Sequence, residues 1–371
     1  MRRCAVAVVV LAACAALASA AETKVGPKGQ FYVDGKPTVP IAVWCQPEYL
    51  LEYWHNLGLQ GIAATPGHGG ENVGLEEYLR LAEKSALGVI APFDEKVAAM
   101  PAVWGWNGGY AAKDARKHYE WTRQKDGKHF VQTNFRVHDL LKGENLEQYR
   151  EVIQWTDSVI CHVWPEALGN DKRNLRNVAL IVDRLREMSK VRPNGEVSIW
   201  PDINPHAWRL KKQEGGAEMA APTPDELRFQ MWLALIHGAD GICIFPISFD
   251  PFVFSQIPAR SEKEISVQAK LIGRFAEALC AEESPAKIAV RGSLQDGIVD
   301  FTTRRLAGKD YVFLVNGVAQ EQTVRLEVEG LGKTLTLRDA LKGQVLAAKA
   351  GAYEEKLKGL ELRIWQVEGN K

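Results

Sequence analysis

Residues 222–250 read PTPDELRFQMWLALIHGADGICIFPISFD, a helix signal followed at once by a short apolar run. Thr223 suits a helix N-cap, Pro224 suits the first helical position, and Glu226 three residues on completes a capping box. Apolar residues then recur at helical spacing up to the glycine of LALIHG. The run GICIF at 241–245 is too short for a helix and too apolar for a strand with one wet face. It predicts a strand buried on both sides, as in a parallel sheet.

Apolar runs of this kind recur along the chain and alternate with helical stretches. The predicted strands are residues 39–44, 61–65, 88–92, 102–106, 129–133, 158–163, 196–200 and 241–245. The predicted helices are residues 47–57, 75–86, 111–125, 146–155, 172–190, 224–237 and 265–279, and the connection at 94–100 is the weakest. Eight strands alternating with helices predict a (β/α)8 TIM barrel in which the last strand pairs with the first.

An open, doubly wound α/β sheet is the alternative fold. Such a sheet usually carries a glycine-rich phosphate loop after its first strand, and the sequence WCQP at 44–47 does not resemble one.

After Cys280 the sequence pattern changes to short segments in which apolar and polar residues alternate, with many β-branched residues and glycine at the turns. This pattern predicts a small antiparallel β-sandwich. We therefore expect a barrel domain over residues 21–283 and a β-sandwich domain over residues 284–371.

Residues 1–20 have the pattern of a secretory signal peptide. Arg2 and Arg3 precede an apolar run at 5–13, and the small residues ASA at 18–20 form a cleavage site. The apolar run is shorter than the roughly 20 residues that a membrane span needs, so no membrane span is expected. The pattern predicts a secreted or periplasmic protein. The alternative is a lipoprotein anchored through Cys14, because LAAC at 11–14 also resembles a lipoprotein box.

The charge balance and the cysteine spacing limit the partners. Lys and Arg total 46 and Asp and Glu total 46, so net charge gives no support to nucleic acid or an anionic membrane as a partner. The cysteines beyond residue 20 are Cys45, Cys161, Cys243 and Cys280; they are widely separated, and their spacing favours buried thiols over a zinc site. No His-x-His or His-x-x-x-His pattern is present, and neither a metal nor another cofactor is expected.

In a TIM barrel the functional residues lie where strands end and the following loops begin. Tryptophan and polar residues are concentrated at those positions here. The predicted ligand-binding residues are Trp44, Trp104, Trp106, Asn107, Asn134, His162, Trp164, Trp200, His206 and Asp250. The apolar faces of sugar rings stack on indole, and sugar hydroxyls need amide, carboxylate and imidazole partners. The pattern predicts an oligosaccharide or polysaccharide site; a groove for an aromatic or peptide ligand is the alternative.

Two segments resemble a family of secreted bacterial TIM-barrel glycosidases. They are GQFYVDGKP at 29–37, which leads into the first strand, and the unit PTPDELR…ALIHGADGICIF quoted above. The resemblance implies a retaining glycosidase with an acid/base carboxylate after strand 4 and a nucleophile after strand 7, about 5 Å apart. Relatives carry a G-W-x-x-x-D-E-P-like segment after strand 4. The matching stretch GWNGGYA at 105–111 keeps the tryptophan and lacks the carboxylates, whereas Asp202 occupies the expected nucleophile position.

Three functions are therefore consistent with the sequence. In the first, Asp202 and Glu166, at the ends of neighbouring strands 7 and 6, form a rearranged catalytic pair in which one carboxyl holds a proton. In the second, the barrel binds carbohydrate without catalysis. In the third, it is an interaction scaffold. Both carboxylates adjoin a proline and could instead brace loops through backbone N–H groups.

Overall fold

The computed structural model describes residues 21–65, 73–110, 114–163, 174–209, 218–249, 251–295, 298–329, 335–346, 348 and 352–369. Its central element is a closed barrel of eight parallel strands. These barrel strands are β1 Ile41–Trp44, β2 Gly61–Ala63, β3 Gly88–Ala91, β4 Val103–Tyr110, β5 Phe130–Phe135, β6 Ser158–Val163, β7 Ser198–Ile203 and β8 Ile242–Ile244. The predicted TIM barrel is confirmed.

Closure of the barrel rules out the open-sheet alternative. The last strand, β8, pairs in parallel with β1, with Cys243 opposite Ala42, and β8 pairs on its other side with β7. No strand of the barrel is therefore an edge strand. Both faces of each strand are covered, which explains why the eight runs are apolar rather than alternating.

Helices cover the outside of the barrel. They are α1 Leu51–Asn56, α2 Leu75–Lys84, α3 Ala115–Lys125, α4 Val137–Lys142, α5 Leu146–Val152, α6 Asn177–Ser189, α7 Pro224–Ile236 and α8 Ala259–Leu279. The capping box predicted for α7 is present: Thr223 Oγ1 accepts from the Glu226 N–H at 3.2 Å, and Glu226 Oε2 accepts from the Thr223 N–H at 2.7 Å. No helix in these described ranges is long and apolar enough to cross a membrane.

A small N-terminal sheet closes the amino-terminal end of the barrel. Its strands are Thr23–Val25, Phe31–Val33 and Lys36–Thr38. Asp34 and Gly35 form the tight turn between the last two strands, both with positive φ. Phe31 is fully buried inside the barrel and contacts a ring of aromatic side chains there. The sequence did not predict this sheet, since its strands are only three residues long.

The C-terminal region is a sandwich of two antiparallel sheets, as predicted. One sheet contains Ile288–Gly292, Gln322–Val328 and Ala352–Leu357; the other contains Val299–Leu306, Lys309–Asn316, Leu335–Asp339, Val345–Leu346 and Leu362–Gly369. The sandwich packs on α7 of the barrel, where Trp232 stacks on Phe313 with ring centroids 6.1 Å apart. Because α7 is covered by the barrel on one side and the sandwich on the other, nine of its thirteen residues are buried.

Candidate functional site

The carboxyl-terminal ends of the barrel strands form the barrel mouth. In β6, Ile160 lies in the barrel interior, whereas Val159 and Cys161 pack against the helices outside. Side chains alternate along a strand, so His162 faces the interior at the mouth. The same alternation brings Asp202 of β7 and Trp44 of β1 to the interior. These residues are the centre of the candidate site.

His162 and Asp202 form a direct pair inside the mouth. They lie opposite each other on adjacent strands, and His162 Nδ1 is 2.5 Å from Asp202 Oδ2. The Asp202 side chain has no exposed surface. Burial raises the pKa of Asp202, while the hydrogen bond and charge of His162 and the nearby Cys243 thiol oppose that rise. The pair therefore holds an imidazole in a fixed orientation above a buried carboxyl group.

Two aromatic rings flank the His162 imidazole. The Trp44 ring lies edge-on to it with centroids 5.1 Å apart, and the Phe245 ring does the same at 5.6 Å. Trp44 is only partly buried, so part of its surface is open to a ligand. An aromatic wall beside a fixed polar group is an arrangement typical of small-molecule sites.

Gln46 fixes the position of Trp44. Its Nε2 donates to the backbone oxygen of Trp44 at 2.8 Å and to that of Phe254 at 3.0 Å. Its Oε1 accepts from the indole N–H of Trp54 at 2.9 Å. The preceding residue, Cys45, has φ 48°, a conformation that few non-glycine residues adopt. Gln46 was not among the predicted site residues, because a buried glutamine that satisfies backbone groups has no sequence signature.

The predicted asparagines Asn107 and Asn134 are near the mouth. Asn134 is almost fully buried in β5, and the alternation of that strand directs it to the interior along with Phe130. Asn107 is half-buried, and its Oδ1 accepts from the Gly109 N–H at 2.8 Å. The pairing register of β4 with β5 shifts just after Asn107, so the chain leaves the regular barrel there.

Trp104 and Trp200 do not lie at the mouth, and their predicted ligand-lining role is corrected. Both are buried at the opposite, amino-terminal end of the barrel, with ring centroids 5.7 and 5.2 Å from Phe31. A Cβ atom on Gly88, the first residue of β3, would lie 1.9 Å from the Trp104 indole. Trp200 is displaced from the mouth because β7 extends beyond it to Ile203. These rings are packing residues.

Trp106 faces the helices outside the barrel rather than the ligand site. It is fully buried in the outer core, and its indole N–H donates to Asp126 Oδ2 at 2.8 Å. The predicted binding role of Trp106 is therefore corrected as well. Trp104 and Trp106 point to opposite sides of β4, because Trp104 is the extra residue where the register with β3 shifts between the pairs Val89–Val103 and Ile90–Gly105.

His206 is close to the mouth but supports the loops. It is almost fully buried, with Nδ1 2.6 Å from the Ala207 backbone oxygen and Nε2 3.0 Å from the Ile247 backbone oxygen. Burial lowers the pKa of His206, although the two backbone contacts act in the other direction. Both ring nitrogens lie within hydrogen-bond distance of backbone oxygens, which favours a structural role for His206 over the predicted ligand-binding one.

Three predicted site residues, Trp164, Glu166 and Asp250, lie outside the described residues. Within the described ranges, no group of three or more His, Cys, Asp or Glu side chains could hold a metal ion. The four cysteines beyond residue 20 are all free thiols.

Aromatic side chains beyond β8 were missed by the sequence analysis. A short hairpin with strands Ser248–Phe249 and Phe252–Val253, here called the rim hairpin, follows the end of β8. Phe249 and Phe252 are exposed on it. The closely spaced phenylalanines of FPISFDPFVF at 245–254 are the sequence signal for this aromatic surface, because phenylalanine can line a ligand site as tryptophan does.

Comparison with known proteins identifies the fold. A glycoside hydrolase matches with a TM-score of 0.57 and 11% identity, covering 94% of this chain and 96% of its own. A glycoside hydrolase family 5 protein from Bacteroides vulgatus matches with a TM-score of 0.58 and 10% identity, covering 93% of each chain. A maltogenic α-amylase, AmyB, from Thermotoga neapolitana matches with a TM-score of 0.52 and 10% identity, covering 88% of this chain and 98% of its own.

The chain has a glycoside-hydrolase fold. Identities this low show the shared fold alone, because one barrel fold carries many activities. No protein-family profile matches the sequence, and no curated protein matches it. The resemblance drawn from the sequence is thus confirmed for the architecture, and the activity must be argued from the site.

Proposed function

We propose that this protein binds a carbohydrate at the mouth of its barrel. The observation that carries the proposal is the His162 imidazole, oriented by the buried Asp202 carboxyl and flanked by the Trp44 and Phe245 rings. Sugar rings present apolar C–H faces and hydroxyl groups together, and such ligands need aromatic surfaces next to oriented polar groups. The polar pair beside two aromatic rings favours a carbohydrate over the peptide and scaffold alternatives.

Among the described residues, the other polar groups near the mouth suit a neutral ligand. Asn107 and Asn134 carry amides, which donate and accept hydrogen bonds without bearing a charge. The deep carboxylate, Asp202, is covered by His162 and serves to orient it. We therefore assign hydrogen bonding to hydroxyl groups, rather than recognition of a charged group, as the polar part of binding.

Substitution of Trp44 tests this proposal. Trp44→Ala should weaken binding of the cognate sugar by about 1–3 kcal/mol, because it removes a stacking surface. Its matched control is Trp121→Ala on α3, which removes an indole that is 46% exposed on the outside of the barrel. Calorimetric titration against neutral oligosaccharides should separate the two variants. Equal affinities for Trp44→Ala and the unsubstituted protein would remove the support for the site.

Hydrolysis of a glycosidic bond by Asp202 and Glu166 is the second candidate function. Its support is the position of Asp202 at the end of β7, where the resemblance places the nucleophile. The full burial of Asp202 and its bond to His162 favour an orienting role instead, since a nucleophile must reach the sugar carbon. If hydrolysis occurs, Asp202→Asn and Glu166→Gln should each reduce its rate by at least about 100-fold. Turnover that survives both substitutions would exclude this pair.

We also propose that the protein acts outside the cytoplasm. The proposal rests on the signal pattern at residues 1–20, with anchoring through Cys14 as its alternative. Mass spectrometry of the N-terminal peptide of the mature protein distinguishes secretion from lipid anchoring. Cleavage after Ala20 gives an unmodified secreted chain, whereas cleavage before Cys14 gives a lipidated one, which a Cys14→Ala substitution would abolish.

A further inference from the structure

The rim hairpin exposes large apolar side chains beside the mouth. Phe249 is 56% exposed and Phe252 is 46% exposed. Burying a phenylalanine side chain is worth about 1.5–3 kcal/mol, so two exposed rings on one short hairpin do not contribute to folding as buried rings would. Neighbouring exposed apolar groups of this kind mark interaction sites.

These rings continue the aromatic wall of the site outward. From Phe245, which contacts His162 inside the mouth, the next ring is Phe249, with centroids 6.0 Å apart. Phe252 follows at 6.4 Å and Phe254 at a further 5.0 Å. An unbroken series of ring contacts thus leads from the buried His162–Asp202 pair to the surface.

The barrel holds the rim hairpin in place at both ends. On the incoming side, the Ile247 backbone oxygen lies 3.0 Å from His206 Nε2. On the outgoing side, the Phe254 backbone oxygen accepts from Gln46 Nε2 at 3.0 Å. The N–H of Gln256 also donates to the Pro246 oxygen at 3.0 Å, which joins the two sides. The backbone at the base of the hairpin is therefore held in place, which reduces the entropy cost of binding.

We propose that the rim hairpin is an extension of the carbohydrate site that binds further units of the same glycan chain. The inference rests on the proposed function and specifies its ligand class as a chain of several sugar units, with one end at His162 and the rest along Phe249 and Phe252. The ring series supports this assignment because it continues without a gap from His162 to Phe252. Stacking on phenylalanine tolerates different sugars, so the hairpin would add affinity for chain length more than for sugar identity.

A second copy of this chain is a weaker match to the rim hairpin. Each aromatic side chain buries about 150–250 Å², so the two exposed rings fall well short of the roughly 1,200–2,000 Å² of a stable protein–protein interface. A glycan needs only ring-sized contacts, and it gains orientation from the polar pair at the inner end of the series.

The test compares short and long ligands on two variants. The probes are cello-, xylo- and malto-oligosaccharides from disaccharide to hexasaccharide, titrated calorimetrically. In the unsubstituted protein, affinity for the bound series should rise with chain length. In the double variant Phe249→Ala/Phe252→Ala the affinity should no longer increase with chain length. The affinity for the hexasaccharide should fall at least about 10-fold, and the affinity for the disaccharide should be unchanged. Trp121→Ala is the control and should retain the rise. Melting temperature should stay unchanged in the double variant, because the removed rings are exposed.

The outcomes separate this inference from the function on which it rests. Affinity that is independent of chain length in the unsubstituted protein, or an equal loss for all lengths in the double variant, overturns the extended site while leaving binding at the mouth intact. Absence of binding to all three series overturns both. A change in oligomeric state in the double variant, seen by size-exclusion chromatography with light scattering, would assign the hairpin to self-association and overturn the inference.

Discussion

The imidazole Nδ1 of His162 lies 2.5 Å from the Oδ2 of Asp202, and the two side chains project into the barrel from the adjacent strands β6 and β7. An oriented imidazole above a fully buried carboxyl group is the central polar feature of the mouth. Its contribution to folding stability should depend on pH, because burial raises the pKa of Asp202 above its value in the unfolded chain.

The first prediction concerns the pH dependence of stability. A carboxyl group whose pKa is higher in the folded state contributes stability that is complete below its unfolded pKa and is lost as pH rises through the folded pKa. The free energy of unfolding of the unsubstituted protein relative to Asp202→Asn should therefore decrease as pH rises from about 4. Urea unfolding at several pH values measures the difference. If the difference in the free energy of unfolding instead increased with pH, the hydrogen bond and charge of His162 would lower the pKa of Asp202 by more than burial raises it.

The second prediction concerns the contact between barrel and sandwich. His237, at the end of α7, lies with Nδ1 2.8 Å from Asp183 of α6 and Nε2 3.1 Å from Asp300 of the sandwich. Burial alone would lower the pKa of His237, but the hydrogen bonds to the two carboxylates raise it to about 9. His237→Asn should cost about 1–3 kcal/mol at pH 7.

The sign of the His237 effect follows from its raised pKa. The stabilisation is complete below the unfolded value of about 6.5 and is lost as pH rises through about 9. The difference in the free energy of unfolding between the unsubstituted protein and His237→Asn should thus narrow between about pH 6.5 and pH 9. Lys287→Ala, which removes an exposed ion pair with Glu329, is the control and should show no comparable narrowing. A constant gap would mean that His237 is neutral in the folded protein.

The third prediction distinguishes the tryptophans of the core from that of the site. Trp200→Ala should cost about 3–5 kcal/mol of folding stability, since it leaves a cavity among Phe31, Phe130 and neighbouring residues. Trp44→Ala should affect ligand affinity much more than stability. Melting temperatures and titrations on the same two variants provide the comparison. Loss of affinity in Trp200→Ala at unchanged melting temperature would return Trp200 to the ligand site.

The fourth prediction concerns the thiols. Burial raises the pKa of Cys161 and of Cys243 well above the usual thiol range. Neither should react with a thiol-specific disulfide reagent in the native state at pH 8, whereas all four thiols beyond residue 20 should react once the protein is unfolded. If fewer than four thiols reacted after unfolding without reductant, two of the cysteines would form a disulfide.

Local signals explain what could be predicted from the sequence. The capping box of α7 and the doubly buried strand β8 each depend on residues close together in the chain, and both are present. The predicted end of β7 was wrong because a proline normally limits a strand, yet β7 passes through Pro201 to Ile203. That shift of three residues is what moved Trp200 from the mouth to the core.

Long-range relationships explain what could not be predicted. The orientation of His162 by Asp202 depends on the register between two strands some 40 residues apart in the chain. The support of the rim hairpin by Gln46 joins positions 208 residues apart. Neither has a spacing pattern, because the chain between the partners has no fixed length requirement.

The aromatic packing around Phe31 also determines the route that a ligand can take. Among the described residues, this side chain packs with Trp104 and Trp200 and fills the amino-terminal end of the barrel. A glycan bound at His162 as proposed would therefore enter and leave at the mouth, past the phenylalanines of the rim hairpin. The rings that assist capture would also slow release, and the dwell time should increase with the length of glycan bound along them.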